Sequence, residues 1–470
     1  MRMASRLLAS ASLGLLLGGC AVGPDYVRPV QPLPASFKED PDWRPAQPSD
    51  GRIPTDWWKI FNDQDLDALA EQVAAANQDV RVAEANYRQA TALARQAFAG
   101  MFPVINLDAS SIRSQGASGA TASRAARPTT FDTVSLATSW EVDLWGGLRR
   151  SLEQAQASAR ASAGDLAATT LSLQGQLVSD YLSLRVADEQ RRLLEDAVDA
   201  YEKSLQLTES RYRAGVAARS DITQAQAQLE ATRAQAIDVR ISRAQLEHAI
   251  AVLVGKAPAD FSLAGRPYQL QFPAVPPLLP SGLLERRPDV AAAERRVAAA
   301  NAQIGVATAA FFPTVTLNAS GGYSAPSGPS LFSLPFRVWS VGPSLAEKLF
   351  DAGGRSAARE QAVASWEAAT ATYRKTVLTA LENVEDSLAS LRILTQEAAV
   401  EVAAVKAAQE SLALTINQYK GGTVSYLNVI TAQTTELSSR ETALSIDGRR
   451  AAATVQLMQA LGGGWQDKQD

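Results

Sequence analysis

The sequence predicts a mainly α-helical chain with a membrane β-barrel portion, internally duplicated. Three observations predict this class. Two very long stretches lack proline: none lies between Pro128 and Pro258, and none follows Pro343. Four shorter stretches switch to a period of two, the spacing of strands. The landmarks of the first half return in the second at a near-constant offset.

The 470 residues carry a net charge of −4, one cysteine (Cys20) and one histidine (His248). That balance suggests no general attraction to nucleic acid. A disulfide within the chain is impossible, and a multi-histidine or multi-cysteine metal site is excluded. No Gly-x-x-x-x-Gly-Lys-Ser/Thr or Gly-x-Ser-x-Gly occurs, and a single histidine excludes His-Glu-x-x-His. His248 sits mid-helix beside Gln245 and Glu247, as a solvated or packed residue does. An enzyme is therefore not expected, nor any cofactor.

Residues 1–19 read as a signal peptide. Arg2 and Arg6 are its positive start, and Leu7 to Leu17 its apolar core, too short to span a membrane. It ends in Leu17-Gly-Gly-Cys20, which resembles the bacterial lipobox. Cys20 is the expected lipid attachment site. Several acyl chains anchor firmly where one does not. Ala21 follows, not the Asp that retains bacterial lipoproteins at the inner membrane, so that resemblance points to the outer membrane. Residues 20–64 are Pro-rich and read as an extended strap anchored by Trp43, Trp57 and Trp58.

The first repeat is expected over 65–255. From Asp65 to about Ala99 the pattern is one helix, with Leu66, Leu69, Val73, Val80 and Ala83 on one side. Strands follow at 103–115 and 130–142. Ile105, Leu107 and Ala109 alternate with Asn106, Asp108 and Ser110; Val134, Leu136, Trp140 and Val142 alternate with Thr133, Ser135, Ser139 and Glu141. A long helix is expected over 147–212. Leu166 and Leu173, Leu177 and Leu184, and Val198, Leu205 and Tyr212 stand seven apart, the spacing of helices in long shallow contact. Unbroken, it would reach roughly 100 Å at 1.5 Å per residue, which implies a rod or a duct. A tip at 213–219 and a helix at 220–254 close the repeat.

Residues 256–283 form a second Pro-rich connector. The second repeat, 284–462, has strands at 313–324 and 333–343, a long helix at 354–419, a tip at 420–426 and a helix at 427–461. Residues 463–470 are a tail. Met101-Phe-Pro-Val-Ile-Asn-Leu-Asp-Ala-Ser110 returns as Phe311-Phe-Pro-Thr-Val-Thr-Leu-Asn-Ala-Ser320. Arg211-Tyr-Arg-Ala-Gly215 returns as Gln418-Tyr-Lys-Gly-Gly422. Each half reads helix, strand, strand, long helix, helix. Pro335 and Pro343 leave the register of the fourth strand, with Trp339 and Val341, open.

Four strands cannot close a barrel around a pore, and lipid does not tolerate their unpaired edges, so several copies must contribute. The apolar alternate face suits lipid and the polar face water. The same alternation also fits a soluble antiparallel sheet over a core. Trp140, Trp145, Phe332, Phe336 and Trp339 near strand ends are compatible with interfacial belts.

Together, these pieces resemble the outer membrane factor family, the TolC and OprM type of efflux duct, in its lipoprotein (NodT-like) branch. The matching residues are Cys20-Ala-Val-Gly-Pro-Asp-Tyr26 with Arg28-Pro29, then Trp57-Trp58 with Phe61, and the strand starts Phe102-Pro103 and Phe312-Pro313. Asp143-Leu-Trp-Gly146, Phe350-Asp-Ala-Gly-Gly354 and the tips Tyr212 to Gly215 and Tyr419 to Gly422 complete the set. The resemblance implies a homotrimer with a twelve-stranded barrel in the outer membrane, continued by an α-helical tunnel through the periplasm. It implies a passive duct for small molecules such as drugs. The implied partners are a periplasmic adaptor (membrane fusion) protein, an inner-membrane pump of the RND type and outer membrane lipid.

In the family the periplasmic end is closed by the second tip and the helix after it. By position these residues are Tyr419, Leu427, Asn428, Thr431 and Thr434. OprM-like members carry Asp and Arg where this chain has Thr431 and Thr434. Hydrophobic closure by Leu427, with hydrogen bonding from Thr431, Asn428 or Tyr419, is the expected substitute; ordinary helix packing is the plain alternative for Leu427. Tyr212, Gly215 and Gly422 are expected at the adaptor-docking tips, although a reversing rod requires Gly there for its backbone first. Two other functions remain open: a channel for protein or peptide secretion, and a non-conducting structural lipoprotein.

Overall fold

The computed structural model of the chain describes residues 21–34, 37–39, 56–115, 128–268, 287–328 and 331–465. The signal peptide, Cys20, Trp43, most of the loop between the first two strands, most of the connector and the end of the tail lie outside these residues.

Seven α-helices and four strands are present among the described residues, in the order α1 (Gln64–Ala76), α2 (Gln78–Ala99), β1 (Val104–Ser114), β2 (Thr129–Glu141), α3 (Gly147–Arg213), α4 (Arg219–Leu253), α5 (Pro288–Ala309), β3 (Thr314–Pro326), β4 (Arg337–Ala346), α6 (Gly354–Lys420) and α7 (Tyr426–Ala460). Helices α3 and α6 have 67 residues each, and α4 and α7 have 35 each. No helix among the described residues is long and apolar enough to cross a membrane. The chain divides into two compact units. One is Met1–Val30, Asn86–Ser162 and Ala292–Tyr373; the other is Gln31–Ala85, Ala163–Ala291 and Arg374–Asp470.

The first unit contains the sheet, antiparallel in the order β1-β2-β3-β4. The expected fourth strand, 333–343, is corrected to Arg337–Ala346, because Leu334–Phe336 with Pro335 forms a 3-10 turn before it. Pro343 is tolerated because β4 is an edge strand, paired only with β3. The open register is resolved: Trp339 faces Gly321, and Val341 faces Ala319. In this unit the chain after Ala21 is stitched down by hydrogen bonds. Val22 N donates to the Trp145 carbonyl at 3.0 Å, Asn301 Nδ2 donates to the Pro24 carbonyl at 2.9 Å, and Arg150 pairs with Asp25 at 2.7 Å.

The second unit packs Trp57, Trp58, Phe61, Leu66, Leu69 and Val73 against Leu177, Tyr181, Leu184, Ile250, Val455 and Leu461. The single helix expected from Asp65 to Ala99 is broken at Asn77. Asn77 has an extended ψ of 135°, its Nδ2 donates to the Leu253 carbonyl at 2.9 Å, and its Oδ1 accepts from Asp79 N and Val80 N. One side chain thus ends α1, caps α2 and ties both to the end of α4.

A buried polar cluster holds residues 261–268 of the connector. Tyr181 Oη donates to Asp63 at 2.6 Å, and Arg266 reaches the same carboxylate at 2.7 Å. Arg185, 1% exposed, donates to Tyr181 Oη at 3.0 Å and to the Ala264 carbonyl at 2.9 Å, and pairs with Asp188 at 3.3 Å. Asp188 in turn pairs with Arg243 at 2.7 Å. Removing one partner of such a cluster strands buried charge. Arg185→Met should therefore cost about 3 kcal/mol, measured as a lowered denaturant midpoint of the helical signal. An unchanged midpoint would show that the cluster does not hold the segment.

Candidate functional site

Two features carry candidate function: the two faces of the sheet, and the pair of helix reversals in the second unit.

Residues opposite one another on antiparallel strands point to the same face. The register therefore sorts the side chains. One face collects Ile105, Leu107 and Ala109 of β1; Val134, Leu136 and Trp140 of β2; Val315, Leu317 and Ala319 of β3; and Trp339, Val341 and Leu345 of β4. The other collects Asn106, Asp108, Ser110, Thr133, Ser135, Ser139, Thr316, Asn318, Ser320, Ser324, Ser340 and Ser344. Its side chains are linked across strands: Thr133 to Ser324 at 3.0 Å, Ser320 to Ser340 at 2.9 Å, and Asn318 to Ser344 at 3.1 Å. The apolar face is not a core, for Ile105 is 71% exposed and Val341 72%. A soluble sheet would bury this face; in this chain nothing covers it among the described residues.

The reversals are built alike. At the end of α3, Gly215 N donates to the Tyr212 carbonyl and Val216 N to the Arg211 carbonyl, with Gly215 at φ +74°. At the end of α6, Gly422 N donates to the Tyr419 carbonyl and Thr423 N to the Gln418 carbonyl, with Gly422 at φ +76°. These paired bonds satisfy the last carbonyls of each rod, and a side chain at the positive-φ position would be strained. Asp221 accepts from Ala218 N and caps α4.

The two reversals also meet. Tyr419 and Tyr426 pack edge-on at 5.3 Å, in a cluster with Ala225 and Val429. Arg211, from the first reversal, lies 4.7 Å above the Tyr419 ring and donates to the Lys420 carbonyl at 2.9 Å. Ser204 Oγ and Tyr426 Oη are 3.2 Å apart, and Tyr201 Oη donates to the Gln433 carbonyl at 3.2 Å. Burial pushes the Tyr201 phenol up to about 12 and raises that of Tyr426 as well, so both stay neutral around pH 7.

The expected aperture residues separate into two groups. Leu427, Asn428, Thr431 and Thr434 are all exposed at the start of α7, Leu427 by 58%. Leu427, Thr431 and Thr434 stand four and three residues apart and share one face. Thr431 Oγ donates back to the Leu427 carbonyl at 3.0 Å, so that oxygen is left to accept only. The Thr434 side chain makes no hydrogen bond to another described residue. Tyr419 is different: it is 4% exposed, and its hydroxyl is buried without a partner. The expectation that Tyr419 lines an aperture and hydrogen-bonds across it is not what the packing offers. Its ring closes the inside of the tip instead. Sequence reasoning missed Arg211, although Arg211 stands in the repeated tip motif; nothing local marks the ring it will cover. Tyr212 is 44% exposed and Gly215 has nothing within 4 Å of its missing side chain, so the first reversal presents open surface. Among the described residues, no group of His, Cys, Asp and Glu is placed to hold a metal ion.

Comparison with known proteins places these features. Residues 69–256 and 279–463 match the model of the outer membrane efflux protein family. The chain is 33% identical, over 99% of its length and 98% of the relative's, to the pyoverdine export outer membrane protein OpmQ of Pseudomonas aeruginosa. It is 30% identical, over 99% of its length and 97% of the relative's, to the antibiotic efflux pump outer membrane protein ArpC of Pseudomonas putida. Among solved structures, the outer-membrane channel OprN superposes with a TM-score of 0.89 at 33% identity, covering 95% of this chain and all of that one. The chain belongs to the outer membrane efflux protein family, whose members are non-enzymatic conduits.

Proposed function

We propose that this chain is the outer-membrane exit duct of a tripartite efflux system. It passively conducts small molecules, drugs among them, from a periplasmic adaptor and an inner-membrane pump of the RND type to the outside. The observation that carries the reading is the sorting of an open four-stranded sheet into one apolar and one hydroxyl-rich face, with both outer edges unpaired among the described residues. Lipid leaves no backbone group unsatisfied. Three copies supply a closed twelve-stranded barrel, the apolar face in lipid and the polar face around water. The two halves of the chain are one duplicated unit, and the long helices of three copies form the tunnel wall in the periplasm. Support for the duplication is the equal lengths of α3 and α6, and of α4 and α7, with the shared geometry of their reversals. Residues 1–19 are removed, and acyl chains on Cys20 add a second hold on the membrane.

In this reading the periplasmic aperture is closed by Leu427, Thr431 and Thr434 from three copies, with Asn428 beside them. The stripe is uncharged, so closure rests on apolar contact and neutral hydrogen bonds. Tyr212, Gly215 and Gly422, at the exposed reversals, meet the adaptor. Tyr419 and Arg211 act from behind, by holding the two reversals together.

Purified in mild detergent, the protein should have the mass of three chains. A folded monomer or dimer would sink the architecture. Mass spectrometry should find an acylated Cys20 at the mature N-terminus, and an unmodified chain starting elsewhere would refute the anchor. Cys20→Ser should lose the acyl chains and still assemble, since a closed barrel holds itself in lipid.

The aperture makes a sharper test. Leu427→Ser should raise single-channel conductance, and Tyr419→Phe should leave it unchanged, because the buried hydroxyl reaches no other group. The parent should respond little to ionic strength. Thr431→Asp with Thr434→Arg should make closure salt-dependent, since exposed ion pairs are screened within about 8–10 Å at 0.1–0.15 M salt. A parent duct that opens steeply with added salt would mean that charges hold it shut, and this account of the aperture would be wrong.

A further inference from the structure

The apolar face of the sheet is not uniform. Its cross-strand rows, read from the helix end to the loop end, are Val315 and Leu345; Trp140, Leu317 and Pro343; Ile105, Thr138, Ala319 and Val341; Leu107, Leu136, Gly321 and Trp339; Ala109, Val134, Tyr323 and Arg337; Ser111, Asp132 and Ala325; and Arg113 with Thr130. Every charged residue of this face lies in the last three rows. None lies at the helix end among the described strand residues.

The heights follow from strand geometry. Eight residues separate Val315 from Tyr323, about 27 Å along a strand at 3.3–3.4 Å per residue. With a tilt near 40° that is about 20 Å of height, close to the apolar band of an outer-membrane barrel. Arg337 therefore stands at the upper edge of the band. Arg113 stands four residues further along, about 10 Å higher. Headgroups lie at that level.

The charges there are unequal in commitment. Both oxygens of Asp132 are taken, by Ser111 Oγ at 2.6 Å and Ser327 Oγ at 2.6 Å. The side chains of Arg113 and Arg337 are exposed and make no hydrogen bond or ion pair with any described residue. Asp132 lies diagonal to Arg113 across the β1–β2 pair, yet no ion pair joins them. Two guanidinium groups without a partner among the described residues thus crown the apolar wall. Tyr323 stacks edge-on with exposed Phe332 at 5.6 Å on β3 beside Arg337.

We infer that Arg337 on edge strand β4 of one copy and Arg113 on edge strand β1 of the next, which adjoin only at the seam between copies, form an outward-facing seat for a phosphorylated glycolipid of the outer leaflet, whose acyl chains run down the apolar rows below. The inference rests on the barrel reading above. A guanidinium matches phosphate in a two-pronged, charge-assisted way that an ammonium does not. An apolar wall directly beneath the cations selects a ligand with acyl chains over a free anion. The charge asymmetry selects the leaflet: the helix end of the same face carries no cation for a headgroup.

The test uses the purified full chain in neutral phosphatidylcholine vesicles containing lipid A or dephosphorylated lipid A. Insertion is read separately, as the shift in gel migration between heated and unheated samples, and bound lipid is read by native mass spectrometry. The parent should retain lipid A in preference to the dephosphorylated form. Arg113→Gln with Arg337→Gln should insert normally and lose that preference by about tenfold or more, equivalent to about 1.4 kcal/mol. The double lysine variant should retain part of it. Equal retention by parent and glutamine variant, equal retention of the dephosphorylated lipid, or full competition by inorganic phosphate would each overturn the inference and leave the barrel standing. Failure to insert into any vesicle would overturn both.

Discussion

A β-sheet with an apolar face and two bare edges cannot remain open in lipid. Each unpaired backbone group costs several kcal/mol where no water can reach it. The sheet β1-β2-β3-β4 has these features: its apolar face is exposed, its polar face is cross-linked by hydroxyl groups, and β1 and β4 each lack a neighbour on one side among the described residues. In the proposed barrel, the need to close these edges is what would drive copies of the chain to assemble.

In the second unit the forces divide differently. Apolar packing of Trp57, Leu177, Ile250 and their neighbours forms the body, while the connector at 261–268 is gripped by charged and phenolic groups. A short irregular segment buries little apolar surface, and its carbonyls and N–H groups need partners. Side chains of α3 and α4 supply them. Buried ion clusters add little net stability relative to apolar packing, but removal of one member is costly. Such a cluster can therefore hold a loop in one place without a large core.

At the second reversal the chain separates two tasks around the first turns of α7. Tyr426 and Val429 face inward and hold the tip, with Tyr419 beneath Arg211, while Leu427, Thr431 and Thr434 face outward. In the proposed duct, an uncharged outward stripe would make closure a matter of contact area, not of ionic strength. The motif shared by the two reversals explains their common backbone. The matching positions after the first reversal carry Ser220, Gln224 and Ala227 instead, so the apolar Leu427 belongs to the second alone.

The amino-acid sequence alone determined what is periodic or local. Long spans without proline specify α3 and α6, alternation specifies the strands and their two faces, and a Gly in each tip motif specifies the reversals. Each of these signals is carried by residues a few positions apart, so it is legible without the fold. Tertiary structure alone decided what depends on distant partners. The register that sets Trp339 against Gly321 also brings Arg113, Asp132 and Arg337 to one face. The break at Asn77 needs the carbonyl of Leu253, the burial of Tyr419 needs Arg211 and Tyr426, and the connector needs Arg185 and Asp63. In every such case the deciding contact joins segments far apart in the chain. Neither partner's local sequence encodes the other's position.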